Sequence, residues 1–178
     1  MHIKVEQNFI AILRDNYTIT IDDNKYYSAK SSIFNLPLKP TLSLYDSSGN
    51  KIFTIHKQSP FHLEYDIIFE NEKKIEIRAE NSFKFEYFFT FDNDVYDLIG
   101  HQGRLYSIFK NKVQIAWFSK EKIGDYYSIT ADKDANVEVL IGVVLVLDLH
   151  FHAGNKHRYD FGNIGWKLKK FDENWRPK

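Results

Sequence analysis

The sequence predicts a mostly β protein: a closed antiparallel barrel of about twelve strands around a central hydrophobic helix, with a C-terminal extension. Short segments that alternate apolar and polar residues, separated by turn residues, fill nearly all of the chain before residue 134. Residues 139–149 then form the longest apolar run, interrupted only by Gly142 and Asp148. Roughly ten to twelve strands are too many for an open sheet of this length, so closure is the natural outcome.

The composition favours one globular domain and excludes several function classes. The chain has 178 residues, 43% hydrophobic and 16% aromatic, which is enough for a substantial core. Lys plus Arg equals Asp plus Glu at 24 each, so no whole-molecule charge attracts nucleic acid. The absence of cysteine removes disulfides and thiolate sites and fits a reducing compartment. Residues 1–13 alternate apolar and polar residues and lack a signal-peptide pattern, so we expect a cytoplasmic protein. We also expect it to be a monomer and to need no cofactor.

The strands can be placed from their alternation and from the turns between them. In order, the predicted strands cover residues 3–13, 17–21, 26–34, 42–45, 52–55, 65–69, 75–78, 83–91, 96–100, 105–109, 113–118 and 126–130. The clearest hairpin surrounds Asp46 to Asn50, where Gly49 tolerates positive φ. Pro37 and Pro40 force a bend or a sheet edge before it. The period-two aromatic residues from Phe83 to Phe91 predict core packing more than a platform for stacking bases.

The apolar run is predicted to be a helix over about residues 134–153. Its β-branched residues would also suit a buried strand. Asp132 and Asp134 stand where an N-cap belongs, and His150 with Gly154 suits a helix end. A helix that is apolar on all sides must be buried on all sides, and this one is too short to span a membrane. Asp148 should then have hydrogen-bond donors around it or lie at the barrel mouth.

Three stretches resemble the tubby C-terminal-like superfamily, and within it the LURP-one-related proteins, with phospholipid scramblases as more distant relatives. Residues 27–57 (YSAKSSIFNLPLKPTLSLYDSSGNKIFTIHK) look like a "strand, D-x-x-G-N, strand, K" hairpin, residues 106–120 (YSIFKNKVQIAWFSK) like a later hairpin of the family, and residues 137–148 (VEVLIGVVLVLD) like its hydrophobic helix. The resemblance implies a barrel threaded by that helix. Family members commonly stop soon after the helix, whereas this chain continues. We therefore divide it into a tubby-like barrel, 1–153, and a basic, Trp-containing extension, 154–178.

The extension carries the predicted binding residues. Basic residues outnumber acidic ones between 150 and 178, and tryptophans are interleaved with them, which suits an anionic lipid surface. The candidate anion- or lipid-binding residues are Lys156, Arg158, Trp166, Lys167, Lys169 and Lys170. The alternative is that Trp166, Leu168 and Phe171 pack onto the barrel while the lysines are solvated. In tubby proteins the barrel binds phosphoinositides, but the residues of that site have no counterparts that can be identified here.

One other cluster has metal-ligand chemistry: Asp148, His150, His152, His157 and Asp160. A helix would turn His150 and His152 about 200° apart, so the predicted helix argues against a shared ion. No nucleophile elbow, phosphate-binding glycine loop or H-E-x-x-H motif occurs, which predicts a protein that is not an enzyme. The first hypothesis is a non-enzymatic module for anionic membrane lipid or a protein partner. The alternatives are a hollow-barrel carrier of a small apolar ligand and a metal-binding protein using His150, His152 and His157.

Overall fold

The computed structural model describes residues 1–8, 16–32, 41–59, 63–81, 86–121, 126–152 and 169–178. These residues form twelve strands followed by one helix. The elements are β1 (His2–Asn8), β2 (Asn16–Ile21), β3 (Asn24–Ser32), β4 (Thr41–Asp46), β5 (Lys51–Lys57), β6 (Glu64–Phe69), β7 (Lys74–Asn81), β8 (Glu86–Phe91), β9 (Asp94–His101), β10 (Leu105–Lys110), β11 (Val113–Lys120), β12 (Tyr126–Ala131) and α1 (Val137–His152).

The twelve strands close into one antiparallel barrel, as the sequence predicts. Each strand pairs with the next along the chain, and β1 closes the barrel by pairing with β12. In the closing pair Ile3 lies opposite Ile129 and Val5 opposite Tyr127. Closure removes the exposed edges that an open sheet of twelve strands would present. The bend predicted at Pro37 and Pro40, and the turn predicted around residues 14–16, extend into residues outside the described ranges.

Tight turns at one end of the barrel follow the local sequence. Three two-residue turns have both residues at positive φ, which is the type I′ geometry that matches strand twist. They are Asp22–Asp23, Asp92–Asn93 and Asn111–Lys112. The hairpin predicted at Asp46 to Asn50 is confirmed, with Gly49 at φ 86°. The carboxylate of Asp46 accepts hydrogen bonds from the backbone N–H groups of Ser48 and Asn50 at 2.9 and 2.8 Å.

The direction of the strands divides the connections between two ends. The turns that end even-numbered strands, including the type I′ turns, lie at what we call the turn end. The connections that end odd-numbered strands lie at the opposite, loop end. Because β12 ends at the turn end, α1 begins there. The helix has 16 residues and is therefore about 24 Å long.

Alternate residues on each strand contribute to a single hydrophobic core. On β6, for example, Tyr65 and Ile67 are buried while Ile68 is 39% exposed. On β8, Tyr87, Phe89 and Phe91 are buried core residues, which confirms core packing for the described part of the predicted aromatic stripe. Phe83 and Phe85 lie outside the described ranges. We call the strand face that carries the buried residues the core face and the other the outer face.

Helix α1 confirms the predicted helix, so the strand interpretation of this run was wrong. It starts three residues later than predicted, and its cap differs: the side chain of Asn136, not of Asp132 or Asp134, accepts a hydrogen bond from the backbone N–H of Val139 at 3.1 Å. All residues from 139 to 149 are buried. A Cβ on Gly142 would lie 2.8 Å from Cδ1 of Ile67, so the helix backbone approaches β6 very closely at this point.

Candidate functional site

Asp148, near the end of α1, is the centre of a buried polar cluster. Its carboxylate accepts hydrogen bonds from the hydroxyls of Tyr17 at 2.6 Å and Tyr127 at 2.9 Å. It also forms an ion pair with the ammonium of Lys120 at 2.9 Å, and both charged side chains are less than a tenth exposed. The ammonium lies 4.9 Å from the centre of the Tyr127 ring. The expectation that Asp148 would be surrounded by donors is confirmed, since three reach its two oxygens.

The strands bring these donors together at the loop end of the barrel. Tyr17 is the second residue of β2, Lys120 is the last residue of β11 and Tyr127 is the second residue of β12. Lys120 and Tyr127 lie opposite each other in the β11–β12 pair. All three are buried with the core residues of their strands. The partners of Asp148 are therefore positioned by barrel closure and strand register.

Tyr17 and Tyr127 belong to a larger set of tyrosines at the same end. Five of the six even-numbered strands have tyrosine as their second residue, whereas β4 has Leu42 there. The five are Tyr17, Tyr65, Tyr87, Tyr106 and Tyr127. All even-numbered strands run in the same direction, so these residues surround the loop end of the core. We refer to them as the tyrosine ring.

The environment keeps four phenols of the tyrosine ring protonated, those of Tyr65, Tyr87, Tyr106 and Tyr127. Burial raises the pKa of Tyr127 well above its usual value, and the neighbouring Asp148 carboxylate raises it further. Burial likewise raises the pKa of Tyr106 to about 12 and that of Tyr87 well above its usual range. A protonated phenol can donate to a carboxylate, but it is a poor nucleophile or base. The ring therefore suits holding an anion more than attacking a substrate.

His150 follows Asp148 by two residues in α1 and contacts Tyr65, a different member of the tyrosine ring. Its ring lies edge-on to Tyr65, with 6.2 Å between ring centres. Lys57 is the last residue of β5, and its ammonium lies 5.9 Å from the centre of the Tyr65 ring. Burial, and then the Lys57 charge, lowers the pKa of His150 to about 4. This imidazole is consequently neutral at physiological pH.

Residues 169–178, which we call the C-terminal segment, lie on the outer face of the barrel. The ring of Phe171 contacts both His101 and Trp117, with centres 5.3 and 5.6 Å apart. The indole N–H of Trp175 donates to the backbone carbonyl of Gln114 at 3.2 Å. At the far end, the backbone N–H of Lys178 donates to the Asp132 carboxylate at 2.7 Å. The segment thus crosses from β8 and β9 to the end of β12.

His101 is buried beneath this segment. Its Nδ1 donates to the backbone carbonyl of Lys169 at 2.8 Å, and its Nε2 lies 2.9 Å from the Ser107 hydroxyl. Lys169 forms an ion pair with Glu86 on β8 at 3.1 Å. Burial lowers the pKa of His101, although the hydrogen bond to Lys169 opposes this effect. The imidazole of His101 therefore links Ser107 on the outer face of β10 to the backbone of the C-terminal segment.

Only part of the predicted anion-binding set can be placed. Lys169 and Lys170 are exposed on the C-terminal segment. Lys156, Arg158, Trp166 and Lys167 lie outside the described residues. Of the alternative packing residues, Phe171 does pack on the barrel, whereas Trp166 and Leu168 are not among the residues described. The prediction of a lipid-binding set thus stays a prediction.

The metal cluster is not favoured by the residues that can be placed. Asp148 is engaged by Tyr17, Lys120 and Tyr127. His157 and Asp160 lie outside the described ranges, and the side chain of His152 is not described. Within the described ranges, no group of three or more His, Cys, Asp or Glu residues could hold a metal ion. A membrane-spanning helix is likewise not found in the part of the chain that the structure describes.

Sequence reasoning missed the tyrosine ring and the role of Lys120. The recurrent signal is a tyrosine at the second position of a strand, but it is visible only when strand starts are known within one residue. The sequence pattern places Lys120 only at the end of the hairpin motif of residues 106–120. An inward lysine at the end of an apolar strand is unusual, and it would have indicated a buried acidic partner.

The comparisons with known proteins agree with this architecture. The family model described as LURP-one-related matches residues 1–148, which covers the whole barrel and α1 as far as Asp148. A search of curated proteins finds no match. A search of solved structures also finds none. Since the family model covers most of the chain, this protein belongs to the LURP-one-related family, within the tubby-like superfamily.

Proposed function

We propose that this protein is a non-enzymatic binding module that meets its partner on the outside of the barrel. The observation that carries the proposal is that all residues of α1 from 139 to 149 are buried, which supports a barrel interior filled by the protein's own side chains. The polar groups of the described cluster at the loop end are used as well, because Asp148 is shared by Tyr17, Lys120 and Tyr127. A site built of mutually satisfied groups has little left to offer a substrate.

The proposal rests on α1 running through the barrel. At the start of the helix, Glu138 accepts a hydrogen bond from the hydroxyl of Tyr27 on β3 at 2.7 Å. At its middle, Gly142 lies against Phe53 on β5 and Ile67 on β6. Near its end, Asp148 is bonded to β2, β11 and β12. Contacts with strands on several sides, together with burial on every face, support a threaded helix.

A threaded helix argues against the hollow-barrel carrier, and truncation tests this directly. A chain ending before Asp134 lacks the helix and should lose its core, so circular dichroism should show an unfolded protein. The full chain measured alongside is the control. A truncated chain that stays soluble and cooperatively folded would overturn the threaded-helix proposal and would favour a cavity for an apolar ligand.

For the outer surface, the ligand class proposed first is anionic membrane lipid. The support is chemical: the extension is basic, it carries tryptophans, and Lys169 and Lys170 are exposed. The predicted contact set remains Lys156, Arg158, Trp166, Lys167, Lys169 and Lys170. Each lysine near an anionic surface contributes about 1 kcal/mol, so several acting together would give measurable binding that salt weakens.

Co-flotation with liposomes tests the lipid proposal. The full chain should float with vesicles that contain phosphatidylserine but not with neutral vesicles, and added salt should release it. The variants K167E and K170E should each weaken flotation severalfold. K25E, which changes an exposed lysine on β3, is the matched control and should bind as the unmodified chain does. Equal recovery with neutral and anionic vesicles, or none with either, would remove lipid as the ligand.

A further inference from the structure

The C-terminal segment covers part of the outer face of β8 to β11. Three of its side chains are engaged: Lys169 with Glu86, Phe171 with His101 and Trp117, and Trp175 with the Gln114 carbonyl. Its remaining residues are exposed. The spacing of the engaged residues is Lys-x-Phe-x-x-x-Trp. These contacts resemble those that a short bound peptide would make with a protein surface.

The surface under the segment is built for an aromatic side chain. Ser107 lies between Ile99 and Trp117 in the strand register, and its side chain is 1% exposed although it belongs to the outer face. His101 is 9% exposed there. Phe171 covers this place, with its ring edge-on to both His101 and Trp117. Removing the segment would uncover a polar-rimmed aromatic patch, the kind of surface that marks a binding site.

The contact is small enough to open. Phe171 and Trp175 are only partly buried, and the other eight residues of the segment are exposed. Terminal segments with few buried apolar contacts have the lowest local opening free energies in a protein. Attachment to the same chain compensates, because it gives the segment an effective concentration on the order of millimolar. A competing peptide must therefore either bind more tightly or act when the segment is weakened.

We propose that the outer face of β8 to β11 is a docking surface for an extended peptide of a partner protein that carries the pattern Lys-x-Phe-x-x-x-Trp. The C-terminal segment occupies this surface until such a peptide displaces it. Glu86 selects the cation, His101 and Trp117 hold the first aromatic residue, and the Gln114 carbonyl accepts from the indole. This inference goes beyond the proposed membrane contact, and vesicle flotation does not decide it.

Fluorescence anisotropy with a labelled peptide tests the proposal in the full chain. The probe is fluorescein-labelled KKFDENWRPK, the sequence of residues 169–178. The unmodified chain should bind it weakly, because its own segment competes. The variant F171A/W175A should bind it at least tenfold more tightly, because its own segment no longer docks well. The same peptide with both aromatic residues changed to alanine is the control and should not bind.

A charge exchange separates recognition from general stickiness. The variant F171A/W175A/E86K should lose severalfold affinity for the probe and regain it for a K169E peptide. Adding W117A to F171A/W175A should abolish binding, with circular dichroism confirming that the barrel remains folded. The proposal is overturned if F171A/W175A binds the probe no better than the unmodified chain, or if the charge exchange has no effect. It is also overturned if F171A/W175A gains affinity for anionic vesicles instead of the peptide.

Discussion

Replacing Asp148 by asparagine should destabilise the protein strongly, even though the side chain keeps its shape. The change leaves the ammonium of Lys120 buried beside Tyr127 without its counter-charge. Removing one partner of a buried ion pair costs about 3–5 kcal/mol, a large share of the total stability of about 5–15 kcal/mol that a domain has. Asparagine keeps one accepting oxygen, and the tyrosine hydroxyl that faced the other oxygen can accept from the new amide N–H₂ instead. Most of the loss should therefore come from the isolated charge.

The variants K120M and D148N/K120M test whether the loss of stability comes from an isolated buried charge. K120M isolates the carboxylate and should cost a similar amount, partly offset by Tyr17 and Tyr127, which still donate to it. In D148N/K120M neither charge of this buried pair remains. The double variant should therefore be more stable than the sum of the single losses predicts, by at least about 2 kcal/mol. This difference is the coupling free energy that the ion pair of Lys120 and Asp148 predicts.

Urea unfolding at pH 7 and 25 °C, followed by circular dichroism and by tryptophan fluorescence, measures the free energy of unfolding for the four chains. Coincident transitions and unchanged slopes would show that the change lies in stability. The half-exposed ion pair of Lys4 and Glu6 is the control, since E6Q should change stability by less than about 1 kcal/mol. Additive effects of D148N and K120M, or single losses below about 1 kcal/mol, would refute the reasoning.

Four further substitutions test the loop end of the barrel and the packing of the helix. The Tyr65 hydroxyl is buried without a hydrogen-bond partner among the described residues, so Y65F should leave stability unchanged or raise it by up to about 1 kcal/mol, whereas Y17F should lower it by about 1–2 kcal/mol in the same urea assay. Because the folded pKa of His150 is about 4, the unfolded chain binds more protons between about pH 6.5 and 4, so stability should fall as pH falls through this window. Relative to H150Q, the unmodified chain should lose about 2 kcal/mol between pH 7 and 4, allowing for solvent screening, and equal losses would contradict the burial of His150. G142A should change stability by no more than about 1 kcal/mol in thermal unfolding, because the tip of the Ile67 side chain can rotate away from the added Cβ while alanine gains helix propensity, and a loss above about 2 kcal/mol would show that Ile67 cannot move.

The fold was predictable because its signals are local. Turn chemistry identified the hairpin at Asp46, since an Asp, a glycine and an asparagine at these positions satisfy the turn within five residues. The helix was predictable because an apolar run of this length has few other solutions. Its start was misplaced because Asp132, Asp134 and Asn136 are all good caps, and only the backbone decides which one is used.

The candidate sites were less predictable because they depend on contacts between distant positions. Asp148 meets Tyr17 across 131 residues and Lys120 across 28. Such pairs are brought together by strand register and barrel closure, and a slip of one residue would turn either donor to the outer face. The docking of Phe171 on Trp117 has the same origin: the sequence shows a basic aromatic segment, but it does not show which face of which strands receives it.

The apolar character of α1 raises the question of what sets its position and rotation against the strands. Burying a helix that is apolar on every side gains nearly the same energy at any rotation, so hydrophobic burial alone selects no single packing. Three exceptions to the apolar pattern can: Glu138 bonded to Tyr27, Gly142 against Ile67 and Asp148 in its cluster. Polar pairs at single core positions are known to fix register in this way.

The combined variant E138Q/G142A/D148N tests whether these three residues specify the packing. It should keep its helix and its compact size but lose unique packing, because the hydrophobic core is left almost intact. Far-ultraviolet circular dichroism should then persist while the near-ultraviolet signal weakens and the dye ANS binds. A matched change within the apolar surface, V144I, alters volume without touching the three residues and should keep the near-ultraviolet signal. A combined variant with native near-ultraviolet signal and no ANS binding would show that side-chain shape alone determines how the helix sits.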